Sequence, residues 1–320
     1  MERAAAKHLA SVYVKGIGMG AADIVPGVSG GTIAFITGIY QELIDSIGSI
    51  GPKTLRILFK EGVVAAWNSI NATFLLVLML GILTSVFTLS KMISHLLHTY
   101  PELLWSFFFG LILVSALHVG RTITQWRMSA VVNLVLGVVV AFGITSFSPA
   151  QIPLNPINLF LAGCIAICAM VLPGISGSFI LLLMGMYAHV IGAVKSLDVV
   201  NLGIFAAGCL VGILAFTRLL SWFLHHYKNA TLALLTGFML GSLNKIWPWK
   251  QTLSTRINSK GEQVPVDQVN VMPDQFMALT GKDPQLLYSI GLMILAIILV
   301  LAMEFVASQK GSGKQSQAES

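Results

Sequence analysis

Long apolar runs, separated by short polar stretches, set the rhythm of this chain. Runs at 71–90 (continuing to about 97), 103–119, 128–147, 201–224, 229–246 and 285–307 are each long enough for a helix to cross a bilayer. At about 1.5 Å per residue, roughly 20 residues span about 30 Å of hydrocarbon. Two further apolar regions, 16–47 and 158–195, carry Gly and Pro at their centres, where a continuous helix would be interrupted. They predict broken hairpins that enter the membrane and leave it on the same side. Segment 52–67 sets Lys53, Arg56 and Lys60 among Leu, Ile, Phe and Trp67, the pattern of a helix lying on the membrane surface. Residues 248–284 read as one long polar loop, and 308–320 as a disordered polar tail. The predicted fold class is all-α and polytopic.

An internal repeat organises these elements. PGVSGGTIAFITGIY (26–40) and PGISGSFILLLMGMY (173–187) are identical at seven of 15 positions at a fixed offset of 147. Further along, at an offset of 127, Lys91 meets Arg218, Ser94 meets Ser221, His98 meets His225, Tyr100 meets Tyr227 and Gly110 meets Gly237. Apolar bias aligns Leu with Ile by chance; it does not align Pro, His, Tyr and a cation in order. The chain therefore reads as a first repeat, 1–147, and a second, 148–307. Each holds one broken hairpin and three spans. Three is odd, so the second half is expected to be inverted relative to the first.

Composition and charge sharpen this picture. Hydrophobic residues make up 56% of 320 and charged residues 10%, with a mean hydropathy of +0.83. A soluble domain carries about 25% charge, so lipid must be the solvent for much of this surface. In the hairpin model one face collects Arg3, Lys7, Lys15, Lys53, Arg56, Lys60, Arg121, Arg127, Lys228, Lys310 and Lys314. That places both termini in the cytoplasm. The net charge of +6 is scattered over loops, which argues against a nucleic-acid partner. Met1–Gly16 lacks the apolar core of a cleavable signal. Cys164, Cys168 and Cys209 have no metal-ligand spacing and read as small packing residues.

The candidate chemistry lies in the two breaks. Pro26, Gly27, Ser29, Gly30, Gly31 and Thr32 end one helix and open another, and Pro173, Gly174, Ser176, Gly177 and Ser178 do the same in the second half. Irregular backbone inside a membrane must be buried in protein or line a wet cavity. Free N–H groups at a helix start favour an anion, so two such tips facing each other would form an anion cradle. Small residues there also permit close helix packing, the competing explanation. Lys91 and Arg218, at matching positions in apolar segments, are candidates to pair with a negative ligand or to snorkel. Asp23, three residues before Pro26, is a candidate coupling carboxylate or a helix cap, and Met170 replaces it in the second half. Gly16-x-x-x-Gly20, Gly208-x-x-x-Gly212 and Gly237-x-x-x-Gly241 are packing motifs. Gly27-x-Ser29-x-Gly31 fits the pattern of a hydrolase nucleophile elbow but lacks its strand–turn–helix setting. Walker, HExxH and dinucleotide fingerprints are absent.

GMGAADIVPGVSGGTIAFITGIY (18–40), with its echo VLPGISGSFILLLMGMY (171–187), resembles the bacterial polyprenyl-phosphate transporter family. The resemblance covers about residues 8–306. It implies a translocase, not an enzyme, that returns undecaprenyl phosphate from the outer to the inner leaflet of the cytoplasmic membrane for cell-wall synthesis. Its implied partners are that lipid and the bilayer. No cofactor is expected beyond coupling to protons or sodium. Competing classes are a transporter or channel for a small soluble anion, a membrane-embedded phosphatase, and a scaffold.

Overall fold

Backbone in hydrocarbon has no water to bond to, so each apolar run satisfies itself as helix. The computed structural model describes residues 2–25, 27–147, 152–257 and 263–316. The first half runs α1 (Glu2–Ile24), α2 (Gly30–Ile36), α3 (Tyr40–Gly48), α4 (Pro52–Glu61), α5 (Val63–Ser69), α6 (Ala72–Thr99), α7 (Pro101–Arg121) and α8 (Met128–Ser146). The second runs α9 (Pro156–Val171), α10 (Gly177–Leu183), α11 (Tyr187–Ser196), α12 (Val199–His226) and α13 (Lys228–Ser242). It continues with β1 (Lys250–Ile257), β2 (Gln263–Asn270), α14 (Pro273–Thr280) and α15 (Leu286–Ser316). Among the described residues, α6, α7, α8 and α12 are each long and apolar enough to cross a membrane, and α10–α11 forms a broken pair bent by 109°. Apolar side chains such as Phe87, Val139 and Leu210 point outward along these helices. Outside water that arrangement is the normal lipid-facing surface, so this is a multi-pass membrane protein.

Both broken regions double back. After α9 the chain turns through Gly174 (φ +87°) and returns as α10. The Ile152 amide, ahead of α9, then meets the Met184 carbonyl at the end of α10 (3.4 Å). In the first half the turn passes Gly27 (φ +90°), and Lys15 in α1 reaches the Thr37 carbonyl beyond α2 (2.7 Å). The second bend repeats too, at Gly38 (φ +72°) and Gly185 (φ +71°). Glycine adopts this left-handed backbone without the Cβ penalty.

Helix crossings repeat with the same fidelity. A Cβ on Gly16 in α1 would strike the Leu78 carbonyl and Gly81 in α6. At the same repeat positions, a Cβ on Gly163 in α9 would strike Phe205, and one on Gly208 in α12 would strike Phe160. Gly110 of α7 lies against Met293 of α15, and Gly237 of α13 against Gly137 of α8. The small-residue motifs therefore act as packing sites, and the thiols of Cys164 and Cys168 face the Gly208 and Gly212 carbonyls.

Four expectations change. The surface helix is two pieces, because Gly62 (φ +93°) breaks it between α4 and α5; Phe59, Val63 and Val64 remain exposed. The first hairpin arm starts at Glu2 rather than near 16, since Ala, Lys and Leu extend the helix favourably. The polar loop contains a two-stranded antiparallel ribbon, with Lys250 opposite Asn270. It is tied down where Trp247 donates to the Val271 carbonyl and Trp249 to the Pro284 carbonyl (2.9 and 2.8 Å). Finally, α15 continues to Ser316 through most of the tail read as disordered, because adding residues to an existing helix is far easier than starting one. Residues 317–320 lie outside the described residues.

Candidate site at the hairpin tips

Ser29 caps α2 in extended backbone (φ −124°) and accepts from the Gly31 amide. Its hydroxyl faces the carbonyls of Met170 (3.0 Å) and Leu172 (3.1 Å) at the end of α9. Thr32 accepts the Gly174 amide at 3.0 Å, and the Tyr40 hydroxyl reaches the Val171 carbonyl at 3.3 Å. The two tips therefore meet and interlock. Ser29 and Thr32 are fully buried at the seam, and Ser176 nearly so. Gly30, Gly31, Pro173, Gly174 and Gly177 are buried with them. Pro26 lies outside the described residues.

The donors of the first tip are engaged by protein oxygens. Asp23 accepts the Gly30 amide at 2.7 Å, so a carboxylate of the chain itself sits at the start of α2. The second tip carries Met170 at that position, and its Ser176 and Ser178 hydroxyls pair at 2.8 Å. The two starts are thus alike in backbone and unlike in charge.

The paired cations do not join the tips. Lys91 and Arg218 are both exposed. Arg218 donates to the Gly48 carbonyl at 3.1 Å and to the Ile50 carbonyl, at the far end of α3 from the seam, about 12 Å away at the helical rise. Nearby, Ser221 donates to Asp45 at 2.5 Å, and His225 lies 3.8 Å from the same carboxylate. The reason is geometric: the C-terminal carbonyls of α3 have no partner within their helix, and a cation satisfies them.

A different pair of cations stands beside the tips. The stem of Lys245, just past α13, packs on Gly27, where a Cβ would lie 3.2 Å from its Cγ. Its ammonium sits 4.5 Å over the Phe179 ring, one residue past Ser178. Lys245 therefore touches both hairpins. Lys250, the first residue of β1, donates to the Lys245 carbonyl at 2.6 Å and lies 4.2 Å over the Trp105 ring. Burial, and then the neighbouring Lys245, hold its ammonium well below the usual range, at about 7. Both lysines line a cavity of about 360 Å³ with Asn244, Asn270, Phe179 and Thr145. Sequence reasoning missed them. The available signal was the placement of two lysines around Ile-Trp-Pro-Trp at the end of a span (245–250).

Comparison with known proteins identifies the family. The family model described as undecaprenyl phosphate translocase-like matches residues 19–264, which include both hairpin tips and both lysines. A Vibrio cholerae protein named polyprenyl-phosphate transporter is 53% identical over 299 residues, covering 93% of this chain and 97% of that protein. A Staphylococcus aureus protein of the same name is 34% identical over 256 residues, covering 73% of this chain and 85% of its own length. No solved structure gives a significant match. A model match over most of the chain, together with a relative this similar end to end, places the chain in the undecaprenyl phosphate translocase-like family.

Proposed function

We propose that this chain carries undecaprenyl phosphate across a bacterial cytoplasmic membrane, returning the lipid from the outer to the inner leaflet for cell-wall synthesis. The observation that carries the reading is the meeting of two broken helical hairpins at interlocked tips, with a basic cavity beside them. The family and the names of its relatives supply the substrate class. An unpaired charge in hydrocarbon costs many kcal/mol, whereas an isoprenoid tail is at ease there. A translocase therefore has only to shelter the phosphate, leaving the tail in lipid.

We read the halves as inverted, because α6 begins and α12 ends beside α3. Asn71, ahead of α6, donates to Glu42, and Arg218 near the end of α12 binds the end of α3. The tips form the pivot of an alternating-access cycle. In this conformation α3 docks on α12 while α11, its counterpart, packs on α10 and α12. The opposite conformation docks α11 on α6 and releases α3. Asp23 is the first candidate for proton or sodium coupling, since movement of the first tip would part it from Gly30. Both termini lie on the cytoplasmic side in this reading.

The test is purified protein in vesicles carrying a fluorescent undecaprenyl phosphate in both leaflets. Signal in the outer leaflet should become exchangeable with the inner leaflet within minutes. Rates equal to those of empty vesicles would overturn the reading.

A further inference from the structure

The link between α3 and α6 leaves an amphipathic helix pair outside the bundle. None of the residues of α4 is buried, and among the described elements it packs chiefly on α5. Lys53, Arg56 and Lys60, spaced three and four apart, fall on one stripe of the helix, and all three are exposed. Leu55 and Phe59, four apart, form a second stripe beside it, and Phe59 is 85% exposed. Glu61, the acid of α4, falls outside the basic stripe. Past the break at Gly62, Val63 and Val64 are exposed as well.

The position of the pair decides what covers it. Ile70 and Asn71 alone separate α5 from α6, and α6 is long and apolar enough to cross the membrane. Trp67 donates to Thr73 in the first turn of α6 (2.8 Å), and Asn71 donates to Glu42 of α3 (2.8 Å). These bonds pin α5 at the mouth of a span, and α4, one residue further back, stays at the level of the headgroups. Apolar side chains exposed there gain by entering about 5–10 Å into the boundary between headgroups and acyl chains. Cations on the adjoining stripe then lie among the phosphates. The same side of the molecule is basic elsewhere. Arg218 and Ser221 near the end of α12 hold α3. Thr124 and Asn229 join the α7–α8 link to the α12–α13 turn (3.2 and 3.3 Å), and Arg121, Arg127 and Lys228 are exposed around that junction. A leaflet bearing acidic lipid attracts such a face within a Debye length, roughly 8 Å at physiological salt.

We propose that α4–α5 is a docking foot for acidic phospholipid in the leaflet at the C-terminal ends of α7 and α12. Lys53, Arg56 and Lys60 bind the headgroup phosphates, and Leu55, Phe59, Val63 and Val64 enter between the acyl chains. The occupant is phospholipid of the bilayer itself, so the proposal stands apart from the lipid that the chain carries. The break at Gly62 fits this use. Its backbone (φ +93°, ψ 177°) is open to glycine almost alone, and nothing lies within 4 Å of an added Cβ. This glycine therefore serves the turn between the two helices and not their packing.

The test follows hydrogen exchange across residues 52–69 of the full chain in nanodiscs. One set is phosphatidylcholine alone and the other an equal mixture with phosphatidylglycerol. Exchange should be about tenfold slower in the mixture, as three cations near an acidic surface imply, and raised salt should reverse most of the gain. The triple variant Lys53→Gln, Arg56→Gln, Lys60→Gln should exchange alike in both sets. Lys53→Arg, Arg56→Lys, Lys60→Arg should keep the difference, which separates charge from fold, and Lys91→Gln should change nothing. Phe59→Ser should lose protection in both sets. Glycerol 3-phosphate, an acidic headgroup without chains, should not slow exchange in phosphatidylcholine. Equal exchange of the wild type in the two sets would overturn the acidic-lipid site, as would slowing that survives in the triple glutamine variant. Full protection in Phe59→Ser, or slowing by glycerol 3-phosphate, would overturn the part given to the apolar stripe.

Discussion

Thr32 in the first hairpin accepts the backbone amide of Gly174 in the second, at 3.0 Å and out of contact with solvent. A side chain of one repeat thereby completes the turn of the other. Neither hairpin tip has its full set of hydrogen bonds until its partner is in place, so the seam couples the folding of the two halves.

Thr32→Val keeps the shape and removes the acceptor. A buried donor left without a partner costs about 1–3 kcal/mol, so thermal unfolding in detergent should shift clearly downward. Thr37→Val, which loses bonds only to the adjoining helix at Ile33 and Ala34, should shift it less. Equal shifts for the two variants would show that the seam bond contributes nothing special.

Gly81→Val and Gly208→Val occupy the same place in the two repeats and face carbonyls of the neighbouring helix. Overpacking of this kind costs about 1–3 kcal/mol or more, so both should reduce the yield of monodisperse protein. Gly203→Ala, on α12 with no atom within 4 Å of the added carbon, should be tolerated. A well-behaved Gly208→Val protein would contradict the close crossing of α9 and α12.

Arg218→Ala deprives the Gly48 and Ile50 carbonyls of a charged donor. Hydrogen bonds to charged groups contribute about 1.5–3 kcal/mol, so amide exchange across α3 should accelerate by roughly tenfold or more. Lys91→Ala, on the exposed face of α6, should leave exchange in α3 and α11 as it was. Identical exchange maps for the two variants would remove the role given to Arg218.

Exchange of roles between the halves makes a distance prediction. Asp45 and Ser221 touch here at 2.5 Å, and their repeat counterparts are Gly192 and Ser94. Cysteines at 192 and 94 should cross-link only in the opposite conformation, and cysteines at 45 and 221 only in this one. Each cross-link should stop lipid transport until reduced. Failure of the 192–94 pair to form under turnover, with the 45–221 pair forming readily, would count against a symmetric cycle.

Lys250 makes stability depend on pH in a definite sense. Its ordinary value of 10.5 falls to about 7 in the folded chain. Between those values the unfolded chain holds a proton that the folded chain has released, so the free energy of unfolding rises with pH across that window. Lys250→Met removes this contribution. From pH 7 to 10 the stability of wild type relative to the variant should therefore increase. Parallel pH profiles would mean that Lys250 is well hydrated.

The membrane spans were legible because a bilayer demands long apolar runs, and the ends of α6, α7 and α8 fall within a few residues of those runs. The broken hairpins were legible because Gly27 and Gly174 mark backbone that other residues avoid. Repeat matching aligned Lys91 with Arg218 but could not say which way they face. Helix periodicity is weak where every side is apolar, and both proved to be exposed. Lys250 was hidden for another reason: its place beside Lys245 depends on a ribbon folding back over α8, a contact between distant segments.

Where glycine meets glycine, as Gly16 does Gly81 and Gly137 does Gly237, backbones touch with no flexible side chain between them. Helices joined so closely cannot slide by small rotamer changes; each such pair travels as one stiff plank. Within the two hairpins, any large movement must then be taken up where the chain already bends, at residues 27, 38, 174 and 185. The protein resembles a set of boards on four pins, and stiffening a single pin should immobilise it without loosening a board.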